Sequence, residues 1–579
     1  MKVNYQYNSP SMCIQENENY TLGLSPDISR DEIVSFSGKL KHPLIFRDAM
    51  LMLRDIVVSD ARQQKKERTE YFTWLMQEIE NRILKHEKYL PGLRKSLRND
   101  MDLVIAEEDQ KQEEIDHLIQ LKSILGKEIE KHDAWRDYYK LEHKFWRFIK
   151  SRDMALWFVL DPVITVHADQ VTFEAFSMDE SIYGCLSIDM DEFELNSEPK
   201  LGTTNIDFSY KLAQEMMRFR TYSNVELSVN PQGFTVDSGV APKHVEKKID
   251  LPETWVKGFN QVSSAANLNS VTVELSKVDM YDICSFLRKH KEKNSPRYMK
   301  WILEKDKPVR IIFEPFKAEL ILTAIYHGEK NREEKIWGRR RWLIIEKLLP
   351  IAKKFQIKLL GFGMPQFIIA DLGKIKMTIG FSSWSANDWV KGTAFHIMSG
   401  FIGEGCYSEV YHLLQTKRSM SMDSICKAIS GKSNQEIIAG IGSLLKRGEG
   451  YFDPVSNTVR FRKLYHEPIP KDLYKSTQTE LEVTKLLSAG MDHFTIKMTA
   501  NKEYEFHNSY PCATQLTIDG DGQISKLNCS CQTFKKGSRN ISSPCQHILA
   551  LYIRSAKFTK KELEPDKVYK INDYLEMLL

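Results

Sequence analysis

The sequence predicts a multidomain α+β chain, on three observations. Its 579 residues exceed what one hydrophobic core usually organises, so three or four domains are expected. The apolar pattern changes period along the chain: long charged helical stretches give way to alternating strand-like segments, then to mixed strands and helices, then to short helices followed by a hairpin. Three of the nine cysteines fall within seventeen residues near the C-terminus and are followed two positions on by a histidine.

Hydrophobic residues make up 42% and charged residues 28%, the composition of a globular protein that can bury a core. A net charge of +4 is small for this length, so any contact with nucleic acid must come from local patches and not from the field of the whole molecule. The N-terminus carries no apolar leader and no stretch approaches a membrane span, so neither secretion nor membrane insertion is expected. An odd number of mostly scattered cysteines points to a reducing, cytoplasmic setting.

Residues 1–58 read as an N-terminal docking segment, short extended pieces followed by apolar residues at helical spacing over 42–58. Residues 59–150 read as a charged helical hairpin. Tyr71, Phe72, Leu75, Ile79 and Ile83 form one stripe, Ile115, Leu118, Ile119, Leu121, Leu125 and Ile129 another, and Pro91-Gly92 breaks the run between them. Such a hairpin is suited to contact a partner protein.

Residues 154–260 alternate β-branched and polar positions and read as a β-rich α+β domain, with Asp179, Glu180, Asp189, Asp191 and Glu192 as a solvated acidic face. Residues 261–400 read as an α/β domain: strands at 271–275, 309–313 and 357–362, and helices at 278–290 and 340–355. Arg339, Arg340 and Arg341 open the second helix and offer a basic side to a phosphate. The stretch 380–387 resembles the tail of phospholipase D-like phosphodiesterases. Met364 and Gln366 stand where that family needs its His and Lys, so the resemblance implies no active site.

Residues 404–466 read as a winged-helix-like domain, with helices at 407–414, 422–429 and 434–447 and a hairpin over 451–461. That order places a third helix in the major groove of DNA, with Arg460 and Arg462 on the wing as phosphate contacts. Pro468 and Pro470 mark a linker into the last domain, 471–579.

Within that domain Cys529 and Cys531 are one residue apart, thirteen residues follow, and Cys545 and His547 are again one residue apart. Three thiolates and an imidazole fill a tetrahedral zinc shell. An alternate-residue Cys pair suits the end of a strand, and Pro544 before Cys545 suits the start of a helix. The pattern Cys-x-Cys, loop, Cys-x-His resembles the SWIM zinc finger, including a family of uncharacterised bacterial SWIM proteins. The resemblance implies Zn2+ bound by Cys529, Cys531, Cys545 and His547, and binding of DNA or protein in place of catalysis. Lys526, Lys535, Lys536 and Arg539 surround the ligands, and no Asp or Glu occurs from Ile524 to Lys561, so this segment is the expected nucleic-acid face.

The chain contains no Walker A loop, dinucleotide-binding glycine fingerprint, nucleophile elbow or zincin helix. The expected function is therefore non-enzymatic: a zinc-binding adaptor that binds nucleic acid, DNA foremost, and recruits a protein partner such as a separate ATPase. The competing expectation is a scaffold that contacts protein only.

Overall fold

Strands from two stretches that the sequence pattern separates, 163–205 and 271–381, form one eight-stranded antiparallel sheet. Across it the strands run Val271–Ser276, Lys354–Leu359, Gln366–Asp371, Ile375–Phe381, Ile182–Asp189, Gln170–Phe176, Val163–Val166 and Gly202–Asn205. The join is the ladder from Ile375 opposite Ile188 to Phe381 opposite Ile182. The expected domain boundary at 260 thus falls inside a single sheet. The structure, a computed structural model, describes residues 11–16, 18–26, 34–59, 92, 95–99, 144, 162–206, 210–229, 253–292, 297–361, 363–382, 388–390, 394–465, 474–488, 494–500, 503–519, 524–536, 544–555 and 563–570.

The two faces of this sheet follow the period-two alternation of its strands. Val171, Phe173 and Ala175 face a core shared with the helix Pro43–Val58. That helix approaches so closely that a Cβ on Gly184 would meet Ile56 Cδ1 at 2.7 Å. The 1–58 segment therefore closes a core instead of merely docking on one. Its strands also enter a five-stranded sheet with the strands Phe193–Leu195 and Asn224–Val229. On the opposite face Gln170, Glu174 and Phe176 meet the helix Glu253–Ala266 and the hairpin of the 404–466 region. Phe176 and Phe259 pack with centroids 4.8 Å apart and planes tilted by 52°, and Gln170 Nε2 donates to the Tyr451 hydroxyl. Strands covered on both faces lose the exposed polar row of a one-sided sheet, and every residue of Gln170–Phe176 is buried.

The expected acidic face forms only in part: the side chains of Asp189 and Asp191 are solvated, but two of its members are not. Asp179 is buried, and its Oδ1 accepts from the hydroxyls of Ser177 and Ser181. Glu192 is buried and accepts from the backbone N–H of His42. Asp191 pairs with Lys374. The basic helix expected over 340–355 is a 3-10 helix, Arg339–Leu348, followed by a strand. Arg339 and Arg341 are buried and donate to the carbonyls of Tyr298 and Ser181, which removes them from any phosphate-binding face.

Between 404 and 466 the helices are Tyr407–Lys417, Met422–Ala428 and Asn434–Lys446, with strands Ser419–Met420, Gly450–Asp453 and Thr458–Phe461 in one small sheet. Ser421 caps the second helix, and Ser433 with Glu436 forms a capping box on the third. The last domain is a five-stranded antiparallel sheet ordered Ile524–Cys529, Thr514–Ile518, Tyr504–Asn508, Phe494–Met498 and Val568–Lys570, packed on the helices Gln478–Ser488 and Gln546–Ser555. Phe506, Leu516 and Leu549 there share one apolar core with Phe176, Trp389 and Phe395 of the central body.

The chain divides into two compact units, Met1–Arg62 with Val159–Leu579, and Gln63–Phe158. In the second, Gly92, 95–99 and Lys144 are described, all helical, and the stripes expected of the helical hairpin lie outside the described residues. Among the described residues no helix is long and apolar enough to cross a membrane.

Candidate metal centre and nucleic-acid face

A hairpin and two helix starts build the metal centre. The strand Ile524–Cys529 pairs with Thr514–Ile518 and ends on the first ligand, Cys529, which lies opposite Thr514. Two residues later the chain turns at Cys531 into the short helix Gln532–Lys536. Cys545 immediately precedes the helix Gln546–Ser555, its carbonyl accepting from the Leu549 N–H, so His547 sits in that helix's first turn. The pairs meet because the end of that strand faces the start of that helix.

The ligand atoms of Cys529, Cys531, Cys545 and His547 all lie within 4.8 Å of one another, and Cys529 Sγ is 3.8 Å from His547 Nδ1. A tetrahedral shell with Zn–S near 2.3 Å and Zn–N near 2.0 Å needs edges of roughly 3.5–3.8 Å, so the set fits zinc. The cysteines are buried, with Phe534 and Ile548 packed around them. Burial pushes the thiols of Cys529 and Cys545 up. At Cys531 burial acts the same way, but the N–H groups of Phe534 and Thr533 and the neighbouring thiols outweigh it and pull the thiol down. A bound dication supplies the charge that lets all three ionise.

Two further groups orient the sulfurs. The backbone N–H of Phe534 donates to Cys531 Sγ at 3.3 Å, and the Thr514 hydroxyl lies 3.6 Å from Cys529 Sγ. Spacing alone does not single out Thr514. The register of the hairpin does, since it places Thr514 directly across from Cys529. Four protein ligands close the shell and leave no open position for water or substrate, which makes the centre structural.

Of the residues expected to contact nucleic acid, Lys526 and Lys535 are exposed beside the ligands. The side chain of Lys536 and all of Arg539 lie outside the described residues. Arg460 and Arg462 do not belong to this face. Arg460 is buried, donating through Nη1 and Nη2 to the two carboxylate oxygens of Asp169 at 2.9 Å and through Nε to Asp453. Arg462 and its partner Glu174 are each 1% exposed, and the guanidinium also lies 4.5 Å from the Phe259 ring centroid. Beside them burial and the Arg460 charge hold the His167 imidazole down at about 3. The pattern of a basic wing is present in the sequence, but carboxylates on the central sheet consume it.

The third helix of the same region is equally enclosed. Ala439 through Leu445 are all buried, and a Cβ on Gly442 would meet Phe401 Cβ at 2.3 Å. Only its leading edge, Lys432 to Glu436, is exposed. What this helix can offer to a groove is therefore confined to its N-terminal edge.

A search of curated proteins finds no match to this chain. Two solved structures with similarity to it are the Proliferating Cellular Nuclear Antigen of Entamoeba histolytica and the PCNA2-PCNA3 complex of Sulfolobus tokodaii. The first is 13% identical, covers 41% of this chain and 94% of its own, and has a TM-score of 0.27. The second is 12% identical, covers 40% and 94%, and has a TM-score of 0.27. Residues 515–556 match the SWIM zinc finger family, and these residues, with their closed Cys3His set, are a SWIM zinc finger.

Proposed function

We propose that this protein is a non-enzymatic, cytoplasmic zinc-binding adaptor that grips the phosphate backbone of nucleic acid, DNA foremost, through the finger. The observation that carries this reading is the pair of exposed lysines, Lys526 and Lys535, set beside a rigid zinc centre in a segment with no acidic residue from 524 to 561. Exposed charges of this kind are available to displace the counterions of a polyanion. The 404–466 region has the element order of a winged helix, yet its wing arginines are held in ion pairs and its third helix is exposed only at its leading edge, so the finger carries the contact. A partner protein, such as a separate ATPase, would supply any motor activity.

The protein-only scaffold is the second reading. It is favoured by the burial of Arg460 and Arg462, because a winged helix packed against its own body serves assembly and not groove insertion.

The test is fluorescence anisotropy of the zinc-replete chain with single- and double-stranded DNA and RNA across a salt series. Each phosphate contact contributes about 0.9 to the slope of log K against log salt on duplex DNA, so Lys526→Ala with Lys535→Ala is expected to lower that slope by about 2. No binding at low salt, or an unchanged slope, would leave the protein scaffold as the better account.

A further inference from the structure

The helix Asn434–Lys446 is closed by a glycine. Gly448 takes the left-handed conformation, with φ +68°, and the N–H groups of Gly448 and Glu449 donate to the carbonyls of Leu445 and Leu444, which fixes the backbone at Arg447. The Arg447 guanidinium then lies between two tyrosines, its central carbon 4.1 Å from the ring centroid of Tyr407 and 4.2 Å from that of Tyr474. The two rings make no contact with each other, so they cover opposite faces of the guanidinium. Tyr407 is itself held in place, its hydroxyl donating to Glu449 at 2.6 Å.

Nothing in the chain answers the charge positioned in this way. Among the described residues no carboxylate stands within ion-pair distance of Arg447 and no acceptor takes a hydrogen bond from its side chain, and Nε is enclosed without a partner. The two terminal nitrogens are not enclosed. Arg447 lines a cleft of about 500 Å³ between the third helix and the helix Gln478–Ser488, with Glu404, Tyr474, Lys475 and Leu481 in its walls. That volume is typical of a small-molecule site.

The charge balance of the cleft narrows the ligand. Lys446, also in the wall, is committed to Glu480. Exposed Lys475 and exposed Glu404 are opposite in sign and cancel. Arg447 is left as the unbalanced charge, which suits a monoanion better than a dianionic phosphate. With both faces covered by rings, the guanidinium offers only its in-plane edge, the geometry that matches a planar carboxylate. Beside it stands apolar surface: Leu481 is 47% exposed and Tyr474 is half-buried.

From this we infer that the cleft binds a monocarboxylate with an apolar body. The carboxylate accepts from the terminal nitrogens of Arg447, and the body packs on Leu481 and Tyr474. The site shares no residue with the finger's nucleic-acid face, so the two readings stand or fall separately.

Calorimetric titration of the full, zinc-replete chain with N-acetylleucine, N-acetylleucinamide and acetate at constant pH and ionic strength tests this. N-acetylleucine is expected to bind about tenfold or more tightly than its amide, which lacks the charge, and than acetate, which lacks the apolar body. Arg447→Ala is expected to lower its affinity by about tenfold or more, and so is Leu481→Asp, a change at an exposed helix position that leaves the melting midpoint near wild type. If Arg447→Ala fails to fold, Leu481→Asp decides. No binding of N-acetylleucine, equal affinity for its amide, or an affinity unmoved by a folded variant would overturn the assignment. A free acid and the C-terminus of a peptide share this chemistry. A short peptide ending in a free leucine that binds more tightly than N-acetylleucine identifies a chain end as the source, and equal or weaker binding identifies a free acid.

Discussion

Replacing Arg462 by alanine distinguishes a structural role from a nucleic-acid contact. The guanidinium donates through Nη1 to Glu174 Oε2 and through Nη2 to the Gly450 carbonyl at 3.4 Å, and it lies 4.5 and 5.2 Å from the ring centroids of Phe259 and Tyr451. Arg462→Ala removes all of these and leaves Glu174 buried with only the Tyr183 hydroxyl as donor, at 2.7 Å. Breaking one side of a fully buried ion pair costs about 3–5 kcal/mol, because the remaining carboxylate has lost its compensation. In a cooperative unit of roughly 480 residues, with about 2.1 cal/mol/K of unfolding entropy per residue, that lowers the melting midpoint by about 3–5 °C. Arg462→Met with Glu174→Leu removes both charges and fills the space, and is expected to recover most of the loss. The assay is thermal unfolding of the three variants beside wild type, run together with DNA anisotropy over a salt series. A full-strength midpoint in Arg462→Ala combined with a shallower salt slope would refute the reasoning and return Arg462 to the nucleic-acid face.

Cys545→Ser is expected to release zinc and open the finger to protease within the last sixty or so residues, since structural zinc supplies much of the folding energy of such a module; metal content and limited proteolysis decide this together. Glu334 offers a pH test. Burial raises its carboxyl to about 7, Arg332 partly opposes this, and Asp519 adds to it. A carboxyl raised in the fold contributes stability below its unfolded value near 4.5 and loses it as pH climbs through 7. At about 1.36 kcal/mol per pKa unit, Glu334→Gln is expected to gain about 3 kcal/mol over wild type at pH 8 and almost nothing at pH 4.5, measured by denaturant unfolding at both. Gly442→Ala is expected to cost about 1–3 kcal/mol by forcing Phe401 away from the third helix, and a neutral result in the same unfolding assay would show that the contact yields freely.

Local chemistry made the finger readable from the sequence. Soft ligands at fixed spacing leave few alternatives, and Cys529, Cys531, Cys545 and His547 converge in the fold as their spacing implied. The caps at Ser421 and Ser433 and the three helices between 407 and 446 were readable for the same reason, because each element is settled by residues within a turn of it.

What the sequence alone determined, then, is a SWIM-type ligand set and the local elements around it. The tertiary structure decided which charges remain available. A basic residue reads the same whether it faces solvent or a carboxylate nearly three hundred positions away, as Arg462 faces Glu174 and Arg460 faces Asp169. Strand pairing is likewise a long-range choice. Nothing local announces that Ile375–Phe381 lies beside Ile182–Asp189, yet that pairing merges two expected domains into one sheet. Helices from 43–58 and 253–266 then cover the two faces of that sheet, and Glu174 on one of them meets Arg462. The cleft at Arg447 belongs to the same class: Tyr407, Arg447 and Tyr474 are far apart in sequence, and only the packing of their elements gathers them into one stack at its wall.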